Sequence, residues 1–471
     1  MAPRPRSSRV IVAVLATLTL LLGATPAIAG QERHGRFRPG APGVGDAYYP
    51  LAGNGGYDVA HYDLTFGYDP EDNHMRATVR IRARATQNLS SFNLDFRGFE
   101  IDRVTVDGRR ARYHRDGQEL TVTPRPKLRK GERFTVTVPY AGHPEALIDA
   151  DGFPYGWIPT DDGAFVANEP DGASSWYPVN DHPTDKATYT FKITVPEGYT
   201  AVANGLLESE RTTRRGTTFV WAASDQTASY LTTAAVGRFE LRSSRLPNGL
   251  PNIEAIDVDL VGDPRLAVFD GTADYLEYLT SVYGPYPFEA IGAIVDDAAD
   301  IGYALETQTR PIYAGIPPES TVVHELAHQW IGNHVSPGRW QDIWLNEGFA
   351  TYSEWLWDES QGGPTAAEVF ADLYATPAEE DVLWDPPPGD PGADNLFETS
   401  VYYRGAMTLH VLRETVGDDA FFTILREWVA KYGGGTATTP DLIDLAERIS
   451  GQQLDALFDE WLYAEGKPAL P

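Results

Sequence analysis

The period of the hydrophobic pattern changes once along this chain, and that change limits the folds open to it. Between residues 57 and 240, short segments such as 75–81 and 134–138 alternate apolar and polar residues, and turn pairs such as Asp107 and Gly108 separate them. Alternation with a period of two is typical of antiparallel strands that bury one face. Beyond this region, apolar residues recur at helical spacing. The pattern therefore predicts an α+β protein, with an antiparallel β domain over 57–240 and a mostly helical domain over 241–471.

Residues 1–29 have the pattern of a secretory signal peptide. Arginines precede an apolar run over 10–22, and the small residues Ala27 and Ala29 follow it where a cleavage site would lie. An uncleaved membrane anchor is the alternative, but the apolar run is short for a bilayer span. We therefore expect cleavage after Ala29 and a secreted, extracellular protein without stable membrane insertion. The Gly- and Pro-rich residues 30–56 are expected to be a flexible lead-in.

Composition excludes several classes of function. The sequence has no cysteine, which rules out disulfides, thiolate nucleophiles and cysteine-ligated metal sites. Its formal net charge is −29 over 471 residues, and such a surface repels the phosphates of nucleic acids. We therefore expect no nucleic-acid partner. Any bound metal must be held by histidine and carboxylate side chains.

A pair of histidines four residues apart is the first candidate for a metal site. His324 and His328 lie in a segment free of proline, for which a helix over 320–332 is predicted. Helical spacing stacks both imidazoles on one face, where they can share a divalent ion. Glu325 can then act as a general base on a water that the metal activates. Because a five-residue motif also arises by chance among ordinary structural histidines, it needs support.

Support comes from Glu347, which lies in the next predicted helix, 344–357. A turn between the two helices allows this carboxylate to face the histidine pair. Three protein ligands leave a fourth position for water, which is the arrangement of a catalytic rather than a structural zinc. We predict one zinc ion per chain, held by His324, His328 and Glu347.

His334 offers a rival third ligand, because it follows His324 by ten residues, as in the metzincin endopeptidases. That arrangement needs glycine where this chain has Ile331. A β-branched residue resists the sharp turn, and Gly332 comes one place late. We therefore expect His334 to be an exposed histidine at a helix end and not a ligand.

Three segments together make the chain resemble the aminopeptidase N family of gluzincin peptidases. They are the interval of eighteen residues between His328 and Glu347, the run at 344–350 and the run at 284–288. The likeness covers roughly residues 55 to 471. It implies a β domain followed by a thermolysin-like catalytic domain.

The resemblance also implies a substrate site. Residues 303–307 are similar to the family strand beside the zinc, in which Glu306 would bind the free α-amine of a peptide and Ala304 would contact substrate. Residues 167–170 are similar to a second amine-binding segment, which makes Glu169 the other candidate acid. The ordinary alternative for Glu306 is a solvent-facing carboxylate at a strand end. The ordinary alternative for Glu169 is a turn carboxylate before proline.

The family's transition-state tyrosine resembles Tyr402, in a predicted helix over 401–416, with Tyr403 as the alternative. The proline-rich residues 384–388 are predicted to form a surface loop. Because the family's larger members continue into a helical domain that covers the site, we expect open access and tolerance of longer peptides.

Together these features predict a secreted zinc aminopeptidase that hydrolyses N-terminal residues from peptides, using water activated by zinc and Glu325 as general base. A related zinc hydrolase, such as an endopeptidase or an epoxide hydrolase, is the alternative, and a catalytically silent binding protein is a third. We expect peptides with a free N-terminus as partners, and a monomer.

Overall fold

The computed structural model describes residues 35–378 and 381–470. The expected signal peptide, residues 1–29, lies outside the described residues, as does the start of the predicted lead-in. Among the helices of the described ranges, none is long and apolar enough to cross a membrane.

The N-terminal half of the described chain is built from short strands. In chain order they are β1 Arg38–Pro39, β2 Tyr57–Asp69, β3 His74–Ala85, β4 Leu89–Asp95, β5 Glu100–Ile101, β6 Thr105–Val106, β7 Arg109–Arg110, β8 Arg112–Asp116, β9 Glu119–Thr123, β10 Arg133–Gly142, β11 Leu147–Ile148, β12 Pro154–Pro159, β13 Ala164–Ala167, β14 Ala187–Val195, β15 Thr200–Ala203, β16 Leu206–Thr213, β17 Gly216–Thr227 and β18 Ala234–Gly237. The predicted β-rich N-terminal part is confirmed.

Three sheets organise these strands. The largest runs β16-β17-β14-β2-β3-β10-β6-β7, with β5 also on β10, and the smaller ones run β1-β4-β9-β8 and β11-β12-β13-β18-β15. Alternate residues of β3 are buried, as its sequence predicts. Most pairs are antiparallel, but β2 and β14 pair in parallel. Alternation along a strand does not report the direction of its neighbour, so the sequence could not indicate this pair.

The remaining strands and the helices follow. They are β19 Phe239–Arg245, β20 Pro251–Asp257, β21 Ile291–Asp296, β22 Ala304–Leu305, β23 Ile312–Ala314, β24 Val335–Pro337 and β25 Gly435–Ala437, with α1 Thr272–Tyr283, α2 Glu319–Ala327, α3 Trp344–Ser360, α4 Ala366–Tyr374, α5 Asp381–Trp384, α6 Thr399–Val416, α7 Asp418–Tyr432, α8 Thr439–Ser450 and α9 Asp455–Phe458. β19 to β23 form a mixed sheet in the order β19-β20-β21-β23-β22, so β22 is an edge strand.

This mixed sheet joins the two halves of the fold. On β21, Ile294 packs in the core of the β-rich part, whereas Val295 packs in the core of the helices. Successive residues of a strand face opposite sides, so one strand contributes to both cores. The described residues from Phe37 onward consequently form one compact unit. β19 spans the predicted boundary at 240/241 and pairs with the second part.

The helix that carries the histidines ends earlier than predicted. α2 stops at Ala327, and the main-chain N–H groups of Gln329 and Trp330 donate to carbonyls three residues back. Gly332, at φ +114°, then reverses the chain. Apolar residues continue through this turn, which is why periodicity predicted a helix to residue 332.

The prediction of a surface loop over 384–388 is wrong at both ends, where Trp384 and Pro388 are buried. Trp384 ends α5 and is fully buried. Its carbonyl accepts a hydrogen bond from the buried guanidinium of Arg404 on α6. The prediction failed because a hydrogen bond between residues distant in the sequence has no signature in the local sequence, whereas the run of prolines predicts a loop.

Candidate active site

Two helices bring the predicted metal ligands together. His324 and His328 come from α2 and its C-cap, and Glu347 lies in the first turn of α3. The Nε2 atoms of His324 and His328 lie 3.3 and 3.5 Å from Oε2 of Glu347. One atom from each of the three residues falls within 4.8 Å of the others, so the three can share a single ion.

The outer nitrogens of both histidines have partners of their own. Nδ1 of His324 lies 2.7 Å from a carboxylate oxygen of Glu354, and Nδ1 of His328 lies 3.1 Å from the carbonyl oxygen of Ile331. Protons held at Nδ1 leave the Nε2 lone pairs directed at the shared point. Our sequence reasoning missed Glu354, although its spacing of seven residues from Glu347 on one helix face was available as a signal.

The electrostatics of the group suit a cation. Burial would raise the pKa of Glu347, but His328 and His324 lower it to about 2. Burial likewise opposes the charge of His324, yet hydrogen bonds to Glu347 and Glu354 hold its pKa well above the usual value. Two imidazole nitrogens and one carboxylate oxygen are the donors that a catalytic zinc site uses. The residues therefore fit zinc.

Glu325 lies next to this group and is buried. Its Oε2 atom has no hydrogen-bond partner. A carboxylate oxygen of Glu325, one of Glu306 and a nitrogen of His328 fall within 4.8 Å of one another. Burial raises the pKa of Glu325 to about 8, against the lowering effect of the two histidines. A carboxylate in this position can take up and release a proton.

The two predicted amine-binding acids also meet here. Glu169 follows β13, Glu306 follows β22, and one oxygen of each lies within 4.8 Å of the other and of Glu347. Both are buried, and each has an Oε1 atom without a partner. Burial and then the charge of Glu306 raise the pKa of Glu169 well above its usual value. Glu306 is therefore not the solvent-facing carboxylate of its ordinary alternative, and Glu169, although it lies in a turn before Pro170, is buried as well.

Asn168 anchors the segment that carries Glu169. Its side-chain nitrogen donates to the carbonyl of Thr232 at 2.7 Å, and its oxygen accepts from the indole of Trp176 at 3.2 Å. Both ends of a buried amide are thus engaged, which fixes the main chain next to Glu169.

The tyrosines of α6 differ in environment. The ring of Tyr402 lies 6.0 Å from that of His324 and lines the cavity over the site. Tyr403 is 41% exposed and does not line that cavity. Only Tyr402 of this pair is therefore close to the metal ligands.

The cavity over these residues has a volume of about 710 Å³. Its walls include Ala304 on the edge strand, the acids Glu169, Glu306 and Glu325, and Tyr402. A peptide several residues long fits a space of this size. Every site residue predicted from the sequence is brought to this one cavity.

His334 lies apart from the metal ligands. It does not line the cavity, and its ring packs edge-on against Phe288 at 6.0 Å between centroids. It is half-buried rather than exposed, and burial together with Lys186 lowers its pKa to about 4. The prediction that His334 is not placed as a ligand agrees with this geometry.

Two family models match the chain, and together they cover more than half of it. The one described as Peptidase M1 N-terminal domain matches residues 59–231, and the one described as Peptidase family M1 domain matches residues 317–461. The first match lies in the β-rich part, and the second includes all three predicted metal ligands.

Solved and curated relatives agree with these matches. The M1 zinc metallopeptidase from Deinococcus radiodurans aligns with a TM-score of 0.83 and 32% identity, over 91% of this chain and 98% of that chain. Aminopeptidase M1-D of Oryza sativa subsp. japonica is 27% identical over 62% of this chain and 36% of its own length. Aminopeptidase N of Streptomyces lividans is 26% identical over 65% of this chain and 39% of its own length.

The chain thus spans less than two fifths of the length of these two curated relatives, but nearly the whole of the solved one. The two family models match residues in both halves of the fold. The chain therefore belongs to peptidase family M1, and zinc is its cofactor.

Proposed function

We propose that this protein is an aminopeptidase, which hydrolyses peptides from a free N-terminus. The observation that carries the proposal is the buried acid pair, Glu169 and Glu306, whose oxygens lie within 4.8 Å of each other and of the metal ligand Glu347. Such a pair suits an ammonium group, which lets buried carboxylates keep their charge. An amine held there leaves the first peptide bond within reach of the metal site.

The residues around the metal site divide the chemistry between them. When bound, zinc polarises the carbonyl of the scissile bond and lowers the pKa of water. Glu325 accepts the proton of the attacking water on its carboxylate and delivers it to the nitrogen of the departing peptide. Its buried Oε2, which has no hydrogen-bond partner in residues 35–378 and 381–470, is available for that proton.

Tyr402 acts on the oxygen of the reacting carbonyl. Its phenol donates a hydrogen bond to the oxygen on which negative charge develops. Burial, and then the nearby acids, raise the pKa of Tyr402 well above its usual value, so the donor proton stays in place. Ala304, on the edge strand β22, offers main chain along which an extended peptide can lie.

Ligands of the solved relatives support peptide substrates. A mutant of the M1 zinc metallopeptidase from Deinococcus radiodurans has been solved with the substrate Tyr-Ser-Ala, and a mutant of a two-domain M1 zinc metallopeptidase has been solved with L-arginine. We extend to this chain only the class of ligand, a peptide or amino acid with a free amine. Secretion is a further proposal, supported by the sequence pattern of residues 1–29.

Blocking the substrate amine tests the proposal. The zinc-loaded protein is incubated with Tyr-Ser-Ala or with its N-acetylated form, and Ser-Ala, which cleavage of the first peptide bond releases from either peptide, is measured by liquid chromatography and mass spectrometry. We expect Ser-Ala only from the free peptide, because acetylation removes the charge that Glu169 and Glu306 bind. Equal cleavage of both peptides would identify an endopeptidase instead.

Glu325→Gln serves as the control for contaminating peptidases. It keeps the size of the side chain and removes the base. We expect turnover to fall by at least about a thousandfold while bound zinc is unchanged. Ser-Ala release at the parent rate by this variant would remove Glu325 from its assigned role.

A further inference from the structure

The main chain at Glu306 is held by side chains from the turn that follows the zinc-site histidines. β22 ends at Leu305, so sheet pairing stops one residue before Glu306. The carbonyl oxygen of Glu306 accepts hydrogen bonds from the side-chain nitrogens of Gln329 at 3.0 Å and Asn333 at 2.7 Å. Both donors are fully buried.

The other end of the Gln329 amide holds the same segment. Its oxygen accepts a hydrogen bond from the main-chain N–H of Thr309 at 2.9 Å. Thr309 has a φ of +68°, in a region that β-branched residues rarely adopt. One side chain therefore fixes the segment on both sides of residues 307–308 and holds Thr309 in a strained conformation.

Glu306 depends on this support for its position. Its Oε1 atom is buried and has no hydrogen-bond partner among the described residues, so no such bond fixes that end of the carboxylate. Gln329 follows the metal ligand His328 directly, and a nitrogen of His328 lies within 4.8 Å of the Glu306 carboxylate. A shift of the main chain at Glu306 therefore changes the distance from the acid pair to the zinc ligands.

We propose that Gln329 is a positioning residue, whose amide sets the distance between the zinc ligands and the amine-binding acid Glu306. The inference rests on the proposed function, since it takes Glu306 to bind the substrate ammonium group. Asn333 shares the carbonyl of Glu306, but only Gln329 also holds Thr309. Gln329 touches neither zinc nor substrate in this role.

Two variants separate its contacts. Gln329→Met keeps the length of the side chain and removes its three hydrogen bonds, which join it to Thr309, to Glu306 and, at 3.4 Å, to the carbonyl of Glu325. Gln329→Glu keeps an acceptor for Thr309 N–H and loses the donor to the carbonyls of Glu306 and Glu325, and it carries the test if the methionine variant does not fold. Gln341→Met is the matched control, because Gln341 donates one hydrogen bond to the carbonyl of Gly389, away from the cavity.

Three kinds of measurement are made on the zinc-loaded full chain. They are the zinc content, the KM and kcat for Tyr-Ser-Ala, and the Kd values of L-tryptophan and N-acetyl-L-tryptophan. For both Gln329 variants we expect unchanged zinc content and a rise of about tenfold in KM and in the Kd of L-tryptophan, the effect of one lost buried hydrogen bond. The kcat should change by less than about threefold. The Kd of the acetylated ligand should not change.

Three outcomes would overturn the inference. The first is a parent-like KM and Kd in both variants. The second is an equal loss of affinity for L-tryptophan and for N-acetyl-L-tryptophan, and the third is a loss of zinc. Each would show that Gln329 does not set the position of Glu306. A parent protein that neither binds L-tryptophan nor releases tyrosine would overturn the proposed function itself, and this inference with it.

Discussion

At the scale of single residues, the site contains buried carboxylate oxygens that lack hydrogen-bond partners in the described part of the chain. Oε1 of Glu169, Oε1 of Glu306 and Oε2 of Glu325 are all buried without a hydrogen bond. Most buried polar atoms in folded proteins are paired, so a concentration of unpaired oxygens in one cavity indicates groups kept for a ligand. An ammonium group, a water and a metal ion are the partners that this set suits.

The two neighbouring tyrosines give a test at this scale. We expect Tyr402→Phe to lower kcat by about a hundredfold or more, because it removes a donor to the developing oxyanion and little else. Tyr403→Phe is the matched control and should keep the parent kcat, since Tyr403 is exposed and lies outside the cavity. Steady-state kinetics on Tyr-Ser-Ala measures both. The opposite pattern would assign the role to Tyr403.

The sequence predicted these residues where spacing or motif specifies them. His324 and His328 are one helical turn apart, and a helix places them together whatever surrounds it. Glu354 and Gln329 were missed, because their roles depend on which atoms of other segments lie opposite them. Those partners, the imidazole of His324 and the carbonyl of Glu306, come together only in the folded chain.

At the scale of elements, α3 and α6 approach closely at a pair of glycines. A Cβ atom built on Gly348 would lie 2.8 Å from the carbonyl carbon of Gly405, and one on Gly405 would lie 3.0 Å from Cα of Gly348. Glu347 and Tyr402 flank this crossing. The absence of side chains at the two positions therefore sets how near the metal ligand and the tyrosine can come.

Gly348→Ala tests this contact. The added methyl group meets main chain that cannot move without separating the helices, so we expect the free energy of unfolding to fall by about 1–3 kcal/mol. The kcat should fall as well. Chemical denaturation and kinetics measure the two effects, with the exposed Glu427→Ala on α7 as control. A variant as stable and as active as the parent would show that the helices are not held this close.

Sequence periodicity predicted the existence of these helices better than their ends or contacts. The predicted helices 344–357 and 401–416 correspond to α3 and α6, each slightly longer in the structure. Their crossing could not be predicted, because glycine in a helix has several explanations. Close approach of two helices becomes the explanation only when a glycine of the other helix is known to face it.

At the scale of the whole molecule, Asp46 connects three parts of the fold. Its carboxylate accepts hydrogen bonds from the main-chain N–H groups of Tyr48 and of Trp340, each at 2.8 Å, and lies 3.2 Å from Nε2 of His182. Trp340 begins the short turn that leads into α3. The described part of the lead-in, which we had expected to be flexible, is thus bonded to both halves of the fold.

The pH dependence of stability tests this connection. Burial alone would raise the pKa of Asp46, but hydrogen bonds from His182 and Trp340 lower it from 3.8 to about 2. A lowered pKa in the folded state contributes stability above the unfolded value, and that contribution is lost as the pH falls through the folded value. Asp46→Asn should therefore lower the free energy of unfolding at pH 7 by about 1–3 kcal/mol.

The difference between parent and variant should shrink as the pH is lowered from 3.8 towards about 2, where Asp46 of the parent becomes protonated. Denaturation curves across this range measure it, with the exposed Glu197→Gln as control. A difference that stays constant, or that grows at low pH, would contradict the role of the ionised carboxylate.

The sequence predicted the order of the two halves but not how they join. The change of period near residue 240 lies within β19, which pairs with β20. The shared sheet was not predictable, because Ile294 and Val295 look alike in a continuous apolar run. Which of the two faces which core depends on elements far away in the chain.

The most direct test of the account is the zinc content of the purified protein, determined by plasma mass spectrometry. We predict one zinc ion per chain in the parent and in Glu325→Gln, and a large loss of zinc from the double variant His328→Ala with Glu347→Ala. A parent without stoichiometric zinc, or a double variant that keeps it, would contradict the assignment of His324, His328 and Glu347 as the metal site.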